Sequence, residues 1–324
     1  MNVEIDLPAR RRALVASLLT VSFGCNIAML FLPFMDLRTG LSTEPYSLVN
    51  SIEMLWSSGL YVLAALVVGF SVVFPFAKLA VLAAVCLAGR IDARNATWLA
   101  WVERLGKWSM LDVFLVCIIL TLTSGQVLVG AEPRSGIVVF VVAILLSLLA
   151  GQLLAALEKP TPVTIADGSR ADVWRGGVWL VLSGLALAGA VALPFLRISD
   201  WLLADRAYSI VQLVPTLWGE GAWTPAIVIG AFLLLAPFVS WLASWQWWWL
   251  RRAGKPADAA YRRLTIARRW SMLDVFGLAL AIFLVEGEYL MKTEVRWGAL
   301  FLVALVAVQV IAQAALNRAF PAEK

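Results

Sequence analysis

The chain has 324 residues, of which 62% are hydrophobic and only 15% charged, with a formal net charge of +5 and a mean hydropathy of +0.86. That leaves too little polar surface to clothe a water-soluble globule, so the sequence reads as a membrane protein. Histidine is absent, which removes histidine-ligated haem, histidine metal sites and histidine proton relays.

In chain order, a short tail (1–10) precedes an apolar run at 13–34, which ends in Leu32-Pro33-Phe34 and is too long for a signal-peptide core. An outside loop follows, with turn signals at Thr39-Gly40 and Glu44-Pro45. Behind Ser47 as a helix cap, Leu48, Ile52, Leu55 and Trp56 recur at helical spacing, which predicts a short interfacial helix; the alternative is a plain loop anchored by its tryptophan. A second run at 59–87 contains Pro75 and Lys78, and a basic inside loop leads from Arg90 to Lys107. The third run, 110–130, opens at Trp108-Ser-Met-Leu-Asp-Val-Phe114, and a very short outside turn leads to the fourth, 136–157. A polar linker, 158–175, with Pro160, Pro162 and Gly168, separates this set from four more runs at 177–196, 222–250, 272–289 and 297–316, before a tail at 318–324. Each run approaches the roughly 20 residues that a helix needs to span a bilayer.

The second set is a copy of the first. Trp108 to Phe114 recurs letter for letter as Trp270 to Phe276, an offset of 162 residues. At that offset Tyr46-Ser47 meets Tyr208-Ser209, Leu55-Trp56 meets Leu217-Trp218, Pro75-Phe76 meets Pro237-Phe238, and Glu132, Arg134 and Gly136 meet Glu294, Arg296 and Gly298. Leu32-Pro33-Phe34 meets Leu193-Pro194-Phe195 at 161, so one residue was gained or lost between. The copied outside helix is expected at 209–218, broken by Pro215. These readings predict an all-α polytopic membrane protein with eight transmembrane helices, as two tandem four-helix repeats (11–157 and 176–317). Four is even, so both repeats take the same orientation. Nineteen of the 26 lysines and arginines fall on the segments that a cytoplasmic N-terminus would place inside, against six outside. That predicts both termini in the cytoplasm, and it accounts for the basic charge without a nucleic-acid partner.

Several polar residues stand out from this background. Ser109-x-x-Asp112 and Ser271-x-x-Asp274 have the spacing of a helix capping box at the cytoplasmic start of a span, yet an acid near the acyl boundary also suits a functional role. Lys78 lies ten residues inside its span, where a lone ammonium costs about 2.5–3.5 kcal/mol to insert, so it needs a partner or must snorkel. Asp112 is the expected partner, and Ser240 is the counterpart of Lys78 in the second copy. Glu286 and Glu288 belong either to the outer rim or to a polar track running from Lys78, Asp112 and Asp274. Trp108, Trp270, Trp245 and Trp248 are expected as interface anchors, the last two in a cluster just before Arg251-Arg252. Cys25, Cys86 and Cys117 stand singly in apolar runs and read as packing residues, so no metal site is expected. No nucleophile–base set or phosphate-binding glycine loop is present, so no catalytic residues and no cofactor are assigned.

The duplicated four-span unit, the Leu-Pro-Phe, the proline in the second span and above all the repeated Trp-x-Met-Leu-Asp-Val-Phe resemble the paraquat-inducible protein A (LetA-like) family. The resemblance implies an inner-membrane protein of a bacterial envelope. It also implies movement of membrane lipid to or from a periplasmic tunnel formed by an MCE-domain partner, with proton flux as the energy source. Two family features are missing: the cysteine-rich zinc ribbons, and the lysine ten residues past the motif, where Ser124 and Glu286 stand. The rival readings are a non-transporting scaffold for envelope assembly and a lipid-modifying membrane enzyme.

Overall fold

The computed structural model describes residues 5–6, 8–39, 42–57, 59, 61–91, 93–123, 129–155, 170–198, 206–255, 257–287 and 293–320. The chain divides into two compact units, Met1–Lys159 with Glu220–Thr224, and Pro160–Gly219 with Pro225–Lys324.

The first unit begins with β1 (Ile5–Asp6), α1 (Ala9–Phe31), β2 (Met35–Thr39), β3 (Ser42–Tyr46), α2 (Leu48–Ser57) and α3 (Tyr61–Val67). A π-helical turn (Val68–Val73) continues α3 into α4 (Phe74–Ala88); then come β4 (Arg90–Ile91), α5 (Ala93–Gly106), a 3-10 turn (Lys107–Met110), α6 (Leu111–Thr123), β5 (Val129–Pro133) and α7 (Ser135–Ala155). The second unit repeats the plan with α8 (Arg170–Ala192), β6 (Leu196–Ile198), β7 (Arg206–Tyr208), α9 (Ile210–Gly219), α10 (Trp223–Ile229), a π turn (Gly230–Leu235) and α11 (Ala236–Arg252). It closes with α12 (Asp258–Trp270), α13 (Leu273–Gly287), β8 (Thr293–Val295) and α14 (Trp297–Ala319). The two π turns sit at the same 162-residue offset as the motif.

Among the described residues six stretches are long and apolar enough to cross a membrane: Ala9–Phe31, Val68–Ala88, Ser135–Leu154, Ala171–Ala192, Trp223–Arg252 and Trp297–Leu316. The third and seventh expected spans differ. Residues 93–123 run helically without a gap, so the basic segment read as an inside loop is the lower half of a helix. In the second unit α12 and α13 form the same element, interrupted at Ser271-Met272. In the first unit the motif therefore lies within a continuous helix, whereas in the second it ends α12 and opens α13. The residues of α12 before Trp270, Asp258 to Arg269, supply about 18 Å of helical rise ahead of the second copy, and α12 packs along α11. Charge hid these helices, because the apolar periodicity is weak where Arg262, Arg263, Arg268 and Arg269 fall within about two turns of α12.

At the opposite end of each unit a small antiparallel sheet, β3-β2-β5 or β7-β6-β8, gathers the loops. Proline explains its position. Pro33 lacks an N–H and pushes Leu32 into an extended conformation (φ −82°, ψ 132°), so α1 stops at Phe31. Phe34 N–H then donates to Tyr46 C=O at 2.8 Å, while Arg134 and Gly136 donate to the carbonyls of Phe34 and Pro33 at 2.8 and 3.2 Å. The second unit repeats all three bonds with Phe195, Tyr208, Arg296, Gly298 and Pro194. A Cβ at Gly136 or Gly298 would collide with the carbonyls of Pro33 or Leu193, which is why glycine stands there. The short turn expected before the fourth span is thus a strand, and the matched punctuation of the two repeats is one knot. Beside it Arg134 holds Asp36 through Nε and Nη2 at 2.7 and 2.5 Å, which raises the guanidinium pKa further above its already high value.

The outside helices form as expected, with Asn50 N–H donating to Ser47 Oγ at 3.3 Å, but α9 runs through Pro215 without a break. Here the N–H that proline lacks falls on the exposed side of a ten-residue helix, where its loss is cheap. The linker is shorter than read, because α8 already begins at Arg170; residues 156–169 lie outside the described set.

Candidate functional site

Each unit places the heptapeptide against its π turn, and backbone chemistry explains why. In the π ladder each N–H reaches the carbonyl five residues back, as Ala236 does to Ala231 and Phe74 to Gly69. The next residue is Pro237 or Pro75, which has no N–H to give. The carbonyls left over are those of Phe232 and Phe70. In the second unit Met272 N–H takes the vacancy, donating to Phe232 C=O at 3.4 Å, and Trp270 stacks on the Phe232 ring with centroids 5.7 Å apart. In the first unit Trp108 lies over Phe70 at 6.1 Å, but the chain passes without a break through the 3-10 turn into α6. The same seven residues are closed in one unit and open in the other.

Lys78 lies in the hairpin of α4 and α5, fully buried at 2% exposure, so it does not snorkel. Its Nζ donates to Ser147 Oγ on α7 at 2.9 Å, and Ser147 donates onward to Ile144 C=O at 2.8 Å. Gly106 makes room for it: a Cβ there would lie 3.4 Å from Nζ. An ammonium offers three donors, and Ser147 accepts one. Close by in the fold, Ser109 Oγ in the 3-10 turn and Ser71 Oγ in the π turn that packs on it are buried without hydrogen-bond partners among the described residues. Asn26 Oδ1 on α1 is likewise buried and unpartnered among them. Buried orphans of this kind cost about 1–3 kcal/mol each and mark functional polar space.

Ser109 is therefore no cap for α6, because the helix runs through it and its hydroxyl meets no backbone donor. Ser271 caps the end of α12, with extended backbone (φ −77°, ψ 115°), and α13 starts two residues later. Asp274 is half-buried in the first turn of α13, while the side chains of Asp112 and Glu286 lie outside the described residues, as does Glu288. Ser240 is half-buried on α11. One residue escaped the sequence reading. Arg268 is the counterpart of Gly106, so where the first unit has Lys78 beside a glycine, the second has Ser240 and a half-buried arginine brought in from the facing helix. Reading the offset at both members of the pair would have found it.

The tryptophans expected as anchors are mostly structural. Trp108 and Trp270 fasten the motif to the π turns. Trp248 is buried, donates its indole N–H to Val173 C=O at 2.9 Å and would collide with any side chain at Gly177; Trp245 stands edge-on to it at 5.2 Å. Indoles here bridge helices through backbone carbonyls, which a headgroup layer would otherwise satisfy. Trp249, by contrast, is 62% exposed. Higher in the same unit, an apolar groove of about 800 Å³ lies between α8 and the π turn with α11, walled by Leu185, Ala188, Leu234, Phe238 and Trp241.

Apolar helices of membrane length, a paired loop sheet and a buried lysine define the class: a duplicated, polytopic helical membrane protein. The family model for Paraquat-inducible protein A matches residues 12–156 and again 177–320. The chain belongs to that family. It is similar to Intermembrane transport protein PqiA of Escherichia coli (strain K12) and of Shigella flexneri, each 28% identical over 125 residues. The match covers 37% of this chain and 30% of those proteins, so it spans less than a third of the relatives' length. No solved structure matches the chain.

Proposed function

We propose that the chain is the inner-membrane subunit of a lipid transport system, exchanging lipid with a periplasmic MCE-type tunnel, and that it crosses the membrane eight times with both termini cytoplasmic. The relatives' name, intermembrane transport, supports the lipid role. The observation that carries the reading is the interrupted third helix of the second unit (Ser271-Met272), considered with the buried Lys78 of the first. Discontinuous helices with buried charge are the form in which transporters build their sites. Support for the two extra crossings comes from connectivity: α6 starts where α5 ends and leads to β5, which pairs with the strand following α1. That element must pass from one end of its unit to the other.

In this reading the repeats at 11–157 and 176–317 each contribute a polar centre, Lys78 with Asp112 and Ser240 with Asp274, and Glu286 extends the track outward. Protons or a lipid headgroup use it. The test is transfer of fluorescent phosphatidylethanolamine from vesicles holding the full chain to an MCE-domain acceptor. Lys78→Met is expected to lower the rate at least about tenfold while binding of the acceptor persists. Unchanged transfer with intact acceptor binding would leave the scaffold reading standing instead.

A further inference from the structure

A second groove in the same unit, of about 650 Å³, runs between α11 and α12. Leu235, Val239 and Leu242 form one wall and Trp270 closes the far end, while Gln246 and Arg263 are its polar members. They stand at one end. Gln246 lies six residues before α11 finishes at Arg252, and Arg263 five residues after α12 begins at Asp258. From Gln246 to Leu235 the groove follows eleven residues of helix, about 16 Å, which is close to the hydrocarbon depth of one leaflet at about half of 30 Å.

The first repeat provides an internal comparison. At the 162-residue offset Gln246 becomes Ala84, Arg263 becomes Trp101, and Ala236 in the groove wall becomes Phe74. The same fold without this groove chemistry thus carries neither the guanidinium nor the amide, and has a ring where the wall was open. Structure alone does not call for Arg263. Its surroundings are also one-signed: between residues 236 and 270 six arginines and Lys255 face a single acid, Asp258.

From these features we infer that the α11–α12 groove binds one anionic phospholipid of the adjoining leaflet, with the phosphate on Arg263 and Gln246 and one acyl chain laid toward Trp270. A guanidinium fork matches phosphate oxygens, and the amide adds a neutral donor. The excess of arginine selects a net-negative headgroup over a zwitterionic one.

The experiment is native mass spectrometry of the detergent-solubilised full chain titrated with phosphatidylglycerol or phosphatidylcholine. One phosphatidylglycerol is expected to bind about tenfold more tightly than phosphatidylcholine. Arg263→Ala should erase that difference, and Ala236→Phe should weaken both lipids. Arg262→Ala, beside the groove but outside its lining, should change neither. Arg263→Trp, already tolerated by this fold as Trp101, guards against misfolding and should behave as Arg263→Ala. An equal loss in Arg262→Ala would reduce the effect to diffuse surface charge and overturn the site. So would retention of the preference in both Arg263 variants, or displacement of the lipid by inorganic phosphate at equal concentration.

Discussion

Lys78 was visible in the sequence because a single ammonium in an apolar run has no ordinary explanation, but its contact with Ser147 was not. The two are 69 residues apart, and nothing in local pattern says which serine of the fourth apolar run faces α4. The asymmetry of the pair makes a testable statement. Ser147 can lose Lys78 and still donate to Ile144, so Lys78→Met should change stability little, or raise it. Ser147→Ala leaves a buried ammonium without its acceptor and should cost about 3 kcal/mol. Thermal unfolding of the two variants in detergent reads the order, and a larger loss for Lys78→Met would contradict it. Ser109 teaches the complementary lesson: the capping spacing was real, but a cap needs a helix that starts there, and this one had started sixteen residues earlier.

Two elements show how punctuation can be read without its meaning. The repeated Leu-Pro-Phe, Tyr-Ser and Glu-x-Arg-x-Gly were all legible, yet only the backbone shows that they bond to one another. Gly136→Ala and Gly298→Ala should each force that backbone apart and cost about 1–3 kcal/mol by unfolding midpoint, since the obstacle is a main-chain carbonyl that cannot rotate away. Neutral substitution would mean that the loops relax independently. The π turns follow from proline, so Pro237→Ala should return the missing N–H to Phe232 and displace Met272. Hydrogen exchange at the Met272 amide is expected to quicken, and an unchanged rate would show that the break in the helix has another cause. The basic helices α5 and α12 stayed hidden because arginine and lysine density reads as solvent, although Leu99, Val102, Ala260 and Leu264 bury one face of each.

For the molecule as a whole, duplication made the most of a single sequence: plan, element order and loop pairing are all stated twice. Depth in the membrane was the part that composition could not reveal, since hydropathy marks where apolar residues are, not where a helix begins. Cysteines placed at the exposed Thr43 and Lys255 separate the two sides. An impermeant maleimide applied to intact cells should label Thr43→Cys and spare Lys255→Cys, and the reverse pattern would invert the topology. The duplicated motif carries one last consequence. Seven identical residues take two backbone shapes in one polypeptide, so neither shape is encoded by the heptapeptide itself. The neighbours of each copy decide which shape it takes, outweighing whatever preference the seven residues have of their own. An event that alters the neighbours of one copy therefore acts on the backbone of that copy as well.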